Sequence, residues 1–255
     1  MPFTLAHPAA VLPLRGVRYL YSAPLIIGAI VPDLPYFLPA GAARYLPETH
    51  EFEASYTVCL GLGYLMLFTV FVLRRPLTAL LAPRARWLCL RALAPFQRWG
   101  AWAFAALGII VGVWTHLLWD SFTHSDGWIV HRVAALSAPV TIGSYTGPLC
   151  HVLQYISSVF GLLVMVVWYW RLPAPAPAPA EPGATRSAVV PILVLVASGA
   201  VLIGGVQATA YFHRTHLVYR SINIFLTHSL TWFALLYLAA GIIITLEHQS
   251  EPAAK

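Results

Sequence analysis

Apolar residues run through this chain in long blocks, at about residues 54–73, 100–119, 152–170, 189–211 and 222–246, separated by short stretches where arginine, histidine and proline collect. None of the blocks alternates with the period of a strand. As helices they reach roughly the ~30 Å thickness of a bilayer's hydrocarbon core. The first forty residues are as apolar but are broken by Pro24, Pro32 and Pro35. That stretch is either a kinked span or a re-entrant element, which a membrane tolerates only where protein covers it or it lines a polar cavity. The pattern predicts an all-α, polytopic membrane bundle of about five to six transmembrane helices with kinked or re-entrant N-terminal elements, residues 1–255 forming a single integral membrane domain.

The polar stretches orient the spans. Arg74, Arg75, Arg84, Arg86, Arg91 and Arg98 follow the first clear span with no acid among them. By the positive-inside rule that loop is cytoplasmic. Threading the spans from it places His50, His116, Asp120, His124, His131, His151, His213 and His216 together on the opposite side. His7 stays inside if residues 17–37 cross once, and joins the others if both N-terminal elements are re-entrant. Residues 172–188, with the repeat Pro-Ala-Pro-Ala-Pro-Ala-Pro, read as a stiff cytoplasmic linker without chemistry of its own.

Composition narrows the class further. The chain is 59% hydrophobic and 9% charged, against about 25% charged in soluble proteins. Its net charge of +6 sits mainly in loop arginines, so nucleic acid is not the expected partner; the membrane is. The three cysteines are scattered and odd in number, which indicates neither a disulfide framework nor a thiolate metal site. The N-terminus lacks the basic region of a cleaved signal peptide. The expected setting is a bacterial cytoplasmic (inner) membrane, with the protein multi-pass; nothing in the sequence sets an oligomeric state.

Candidate chemistry concentrates at Thr115-His-Leu-Leu-Trp-Asp-Ser-Phe-Thr-His-Ser-Asp-Gly127. On a continued helix His116, Asp120 and His124 drift only about 40° per step and stack on one face. Imidazole and carboxylate on successive turns chelate divalent metals. Ser125, Asp126 and Gly127 read as the helix end. Asp33 lies at the broken end of the second apolar stretch, where a carboxylate needs a partner or a metal, the alternative being a Pro-Asp turn at the interface. Thr4 reads as the N-cap of a short helix holding His7.

Four segments carry a resemblance: Pro2-Phe-Thr-Leu-Ala-His7-Pro-Ala-Ala-Val-Leu-Pro-Leu, Gly28-Ala-Ile-Val-Pro-Asp33-Leu-Pro-Tyr-Phe, His116-Leu-Leu-Trp-Asp120-Ser-Phe-Thr-His124-Ser-Asp-Gly-Trp and Leu153-Gln-Tyr-Ile-Ser-Ser. Together they resemble the bacterial membrane family called domain of unknown function 4184, whose name implies no activity. More distantly, the order His, Pro-Asp, His, His-xxx-Asp is similar to membrane-bound metal-dependent hydrolases and to zinc-dependent phospholipases C and single-strand nucleases. That resemblance implies His7, Asp33, His50, His116 and Asp120 as metal ligands, with His124 as a further one. The cofactor it implies is a divalent metal, zinc first, with manganese or magnesium as alternatives. The chain departs from those enzymes at His50-Glu51-Phe-Glu53, where they continue His-Ser, and shows no late glutamate ligand. One or two ions are therefore expected rather than three.

The leading expectation is metal-assisted cleavage of a phosphate ester in a lipid-like substrate, from the non-cytoplasmic side. A bound ion polarises a phosphoryl oxygen and acidifies water to a pKa of about 7. Asp33, Glu51 and Asp126 are the candidate general bases. Arg132, His213, Arg214 and Arg220 are candidates for phosphate binding, with headgroup anchoring as the alternative for each. A second reading is an isomerase, cyclase or lyase on an isoprenoid, with Trp114, Trp119, Phe122, Trp128, Tyr145 and Tyr155 stabilising a carbocation, although membrane-interface belts explain those rings more simply. A third is non-enzymatic metal sensing or transport. Against transport, the chain has no clear internal repeat, and His228 is its main ionisable residue in mid-span.

Overall fold

The computed structural model describes residues 4–38, 45–143, 145–173 and 186–250. Its helices are α1 (Ser22–Gly28), α2 (Val58–Val72), α3 (Arg74–Thr78), α4 (Pro83–Leu93), α5 (Trp99–Thr123), α6 (Ala134–Ser137), α7 (Leu149–Arg171), α8 (Arg186–Thr215) and α9 (Val218–Ser250). Four of them are long and apolar enough to cross a membrane: α5, α7 and the parts of α8 and α9 from Ala188 to Thr215 and from Arg220 to Glu247. The chain is an all-α membrane protein. The block expected to span at 54–73 forms a 15-residue α-helix, about 22 Å long. It is shortened because Glu53–Tyr56 is wound as a 3-10 turn and Thr57 leaves helical geometry at φ −116°, ψ −98°. The strands among the described residues form a small antiparallel hairpin, β1 (Pro139–Ile142) paired with β2 (Tyr145–Pro148).

The residues group into two compact units. The first comprises Met1–Pro35, Arg44–Phe68 and Pro95–Pro173. Its N-terminal part does not cross as one helix. Pro8 and Pro13 lie in an 11-residue 3-10 helix, Thr4–Leu14, because each proline removes a donor and clashes with a continuing α-turn. α1 is only seven residues long, and Pro32 and Pro35 hold the next segment, Val31–Phe37, in 3-10 form. The segment expected to be kinked or re-entrant is thus broken into three short helical pieces.

What holds α1 in place is backbone contact. Gly108 and Gly112 lie one turn apart on α5, the small-xxx-small spacing that lets membrane helices approach closely. A Cβ on Gly112 would collide with the Leu25 carbonyl and lie 2.8 Å from the Ala29 nitrogen, and one on Gly28 would strike the Ile109 carbonyl. Leu25, Ala29, Val31, Ile109 and Val113 are buried around this crossing. The seam places the end of α1 directly against α5 around Gly108–Gly112, one turn before His116.

The second unit comprises Tyr36–Ala43, Thr69–Ala94 and Ala174–Lys255, with α8 and α9 packed on each other and α3 against α9. Tyr237 donates to the Leu77 carbonyl at 3.1 Å. Arg86 donates to the carbonyls of Thr78 at 2.9 Å and Ala79 at 2.6 Å, satisfying groups left open at the end of α3. His228, the ionisable residue read in mid-span, has its Nδ1 2.7 Å from Gln207 Oε1. The Pro/Ala-rich linker expected at 172–188 lies for the most part outside the described residues.

Candidate metal centre

The polar centre of the first unit is built from four short segments converging on α5. His116 and Asp120 sit one turn apart on that helix, and both are buried. The glycine seam brings the Ala29 carbonyl, an orphan acceptor at the end of α1, to 2.9 Å from His116 Nδ1. That nitrogen therefore carries a proton and donates, which turns Nε2 inward toward Asp33 and Asp120. Fixing a histidine's tautomer through its far nitrogen is how proteins orient metal-binding imidazoles.

Asp33 follows immediately in the 3-10 segment. Its Oδ2 accepts from the Thr4 hydroxyl at 2.7 Å, so Thr4 serves the carboxylate rather than capping its own helix. Burial by itself raises the Asp33 pKa, but the His50 contact, the His116 ring and the Thr4 hydroxyl outweigh it and hold the group below the usual carboxylate range. The loop that carries His50 is docked by Thr49, whose hydroxyl donates to the Pro32 carbonyl at 2.8 Å. The backbone N–H groups of Thr49 and His50 donate to Glu48 Oε1 at 3.1 and 3.2 Å. His7 arrives from the N-terminal 3-10 helix with its ring stacked on His116, 3.9 Å between centroids. Burial pushes its pKa down to about 4, so it is neutral at pH 7 with a lone pair to offer.

The resulting donor spacing is the informative quantity. His116 Nε2 lies 3.2 Å from Asp120 Oδ2 and 3.7 Å from Asp33 Oδ1. His50 Nε2 lies 3.5 Å from Asp33 Oδ1 and 3.8 Å from Asp120 Oδ2. The other Asp120 oxygen, Oδ1, is 3.6 Å from His7 Nε2 and 3.4 Å from His124 Nδ1. Hydrogen-bonded N–H···O pairs close to about 2.7–3.2 Å, whereas ligands at about 2.0–2.2 Å around a tetrahedral ion stand about 3.3–3.6 Å apart. His116 and Asp120, at 3.2 Å, stand at the hydrogen-bond limit, and the other five pairs, at 3.4–3.8 Å, stand at or just beyond the ligand spacing. Both nitrogens of His7, His116 Nε2 and Asp120 Oδ1 are buried and have no hydrogen-bond partner among the described residues. Two groups of three, His7/Asp33/His116 and His50/His116/Asp120, have ligand atoms within 4.8 Å of one another. Two carboxylates buried side by side call for positive charge between them, and this donor set, hard oxygens with borderline nitrogens, fits a divalent ion of the zinc or manganese type.

The structure thus brings His7, Asp33, His50, His116, Asp120 and His124 together. The last does so differently from the helical stripe expected. α5 stops at Thr123, and His124 is extended at φ −107°, ψ 142°. The turn Ser125-Asp126-Gly127 folds back, Gly127 N–H reaching the His124 carbonyl at 2.9 Å. Glu51 and Asp126 are exposed, and among the described residues neither forms an ion pair in the cluster. Arg132 is exposed and lies over Trp128, 3.9 Å from Cζ to the ring centroid. His213 and Arg220 belong to the second unit, where both are exposed. Thr4, Thr49, Gln154 and the Ala29 carbonyl are the supporting groups that sequence reasoning missed.

Thr4→Val keeps the shape of the side chain and removes the donor to Asp33. We expect the variant to be destabilised by about 1.5–3 kcal/mol, the range for a buried hydrogen bond to a charged group. Thermal unfolding in detergent of the metal-depleted protein checks this; an unchanged midpoint would place Asp33 in water instead.

The family described as Domain of unknown function (DUF4184) matches residues 1–246, and the chain belongs to that family. No curated protein and no solved structure matches it significantly.

Proposed function

We propose that this member of the family is a metal-dependent hydrolase that cleaves a phosphate ester of a lipid-like substrate. The observation behind this reading is the ring of two imidazole nitrogens and two carboxylate oxygens 3.2–3.8 Å apart, beside which both His7 nitrogens, His116 Nε2 and Asp120 Oδ1 are buried without a hydrogen-bond partner among the described residues. His50, His116, Asp33 and Asp120 would hold the ion, with His7 beside them. A divalent ion bound there supplies Lewis-acid chemistry, polarising a phosphoryl oxygen and making water acidic enough to react near neutral pH.

The chain's own residues would divide the remaining work. Asp33 shares Oδ1 between two imidazoles and is engaged on Oδ2 by Thr4, which suits a ligand better than a general base. Glu51 and Asp126, on the exposed rim, remain as proton acceptors. His50 is the ligand that opens the cluster outward: its side chain is 26% exposed, against 0% for His116. The cluster stands at one end of a membrane-spanning helix, where an amphiphile can keep its tail in lipid while its polar head reaches His50. We place the protein in a bacterial cytoplasmic membrane with this end on the non-cytoplasmic side, from the arginine-rich segment 74–98 and the positive-inside rule.

The test is turnover of a panel of lipid phosphates by metal-depleted and reloaded protein, reading free phosphate and free alcohol separately. Release of either that depends on added zinc or manganese is the expected result. Metal-dependent conversion of an isoprenoid without phosphate release would replace hydrolysis by isomerisation. Metal binding without turnover of any substrate would leave a sensor or transporter.

A further inference from the structure

We propose that Gln154 is a positioning residue for this centre, acting through His124 on Asp120, an inference that rests on the metal-site reading above. Gln154 comes from the N-terminal part of α7 and is a polar side chain only 6% exposed. Its side-chain amide nitrogen lies 3.1 Å from His124 Nε2. The other nitrogen of that ring, Nδ1, faces two acceptors at once: the Asp120 carbonyl at 3.4 Å and Asp120 Oδ1 at 3.4 Å.

The two ends of the ring determine each other. An imidazole nitrogen lone pair aimed at a carbonyl and a carboxylate oxygen is repulsive, so Nδ1 carries the hydrogen. A neutral ring then has an unprotonated Nε2, which needs a donor, and Gln154 N–H is that donor. Reversing the amide would put its oxygen against Nε2 and require a proton there, so a ring that keeps its Nδ1 proton would have to be cationic. The chain of donors therefore runs Gln154 N–H to His124 Nε2, then His124 Nδ1–H to the Asp120 backbone carbonyl, beside Asp120 Oδ1. In this arrangement the His124 N–H faces the outer oxygen of Asp120 at 3.4 Å without bonding it, while Oδ2 faces His50 and His116, so His124 positions a ligand electrostatically instead of being one.

The experiment compares Gln154→Leu and Gln154→Glu with the wild type by zinc titration in detergent, alongside the 15N spectrum of histidine-labelled metal-free protein. Both variants are expected to bind zinc about 10–100-fold more weakly, the usual loss when an outer partner of a metal site is removed. The glutamate variant is the sharper one. Its carboxylate can only accept, so it imposes the opposite tautomer and cannot rescue. The spectrum is expected to show one ring, shifted in Gln154→Leu, protonated at Nδ1. Wild-type affinity in Gln154→Leu would overturn the proposal while leaving the metal site standing. Tighter binding in Gln154→Glu, or an Nε2–H ring in the spectrum, would make His124 a ligand through Nδ1 and overturn it too. A wild type that binds no zinc would overturn the metal reading, and the spectrum alone would then decide the tautomer.

Discussion

Asp120→Asn is expected to leave the protein folded and to weaken divalent-metal binding on the order of 100-fold or more, since losing merely an outer partner costs about 10–100-fold. The substitution keeps the shape of the side chain and removes its charge. Asp120 is the residue that both faces of the cluster share: Oδ2 is turned to His116 and His50, Oδ1 to His7 and His124. A ligand that binds only the folded state at a concentration of about 100 Kd stabilises it by about 2.7 kcal/mol. Zinc should therefore raise the melting temperature of the wild type and do little for the variant. In the metal-free state the order is expected to level or reverse, because the variant no longer buries two carboxylates side by side without a cation. Calorimetry with and without chelator checks both halves. A variant that melts well below the wild type in chelator would assign Asp120 a structural role instead.

Gly112→Ala is expected to damage the centre from a distance. The added methyl would enter the Leu25 carbonyl and sit against the Ala29 nitrogen. These are backbone atoms at a helix–helix crossing, so no side chain can swing away. Overpacking of this kind costs about 1–3 kcal/mol, occasionally more. It also forces α1 off α5 and so lengthens the 2.9 Å contact between the Ala29 carbonyl and His116 Nδ1, freeing that ring to rotate. Loss of both thermal stability and zinc affinity is the expected outcome, whereas Gly100→Ala, at a glycine with nothing within 4 Å of an added Cβ, should change neither. A Gly112→Ala protein with wild-type zinc affinity would show that the seam does not set the His116 tautomer.

How far the sequence could be read depended on whether the physics was local. The four long spans follow from uninterrupted apolar blocks, which need no tertiary information. The block at 54–73 is shorter as a helix because Glu53–Tyr56 winds as 3-10, a choice made by the docking of Thr49 and His50 that composition does not reveal. The pairing of His116 with Asp120 was legible because one helical turn sets it. His124 was not, because Ser125-Asp126-Gly127 ends the helix earlier than Gly127 alone suggested. The hairpin 139–148 is too short to leave a periodic signal. Thr4 and Thr49 act on residues 29 and 17 positions away, and no local pattern marks them. Gln154 was within reach: a buried amide in an apolar span is a functional candidate on membrane physics alone. The Gly108/Gly112 spacing was likewise visible, and it explains how Ala29 reaches His116.

The most direct test of the central claim is the metal content of the wild-type protein, purified in detergent without chelator and measured by mass spectrometry against protein concentration. The account predicts close to one divalent ion per chain, or two, with zinc or manganese foremost, removed by chelator and restored on reloading. A well-folded protein that carries no divalent metal and takes up none when it is supplied would contradict it.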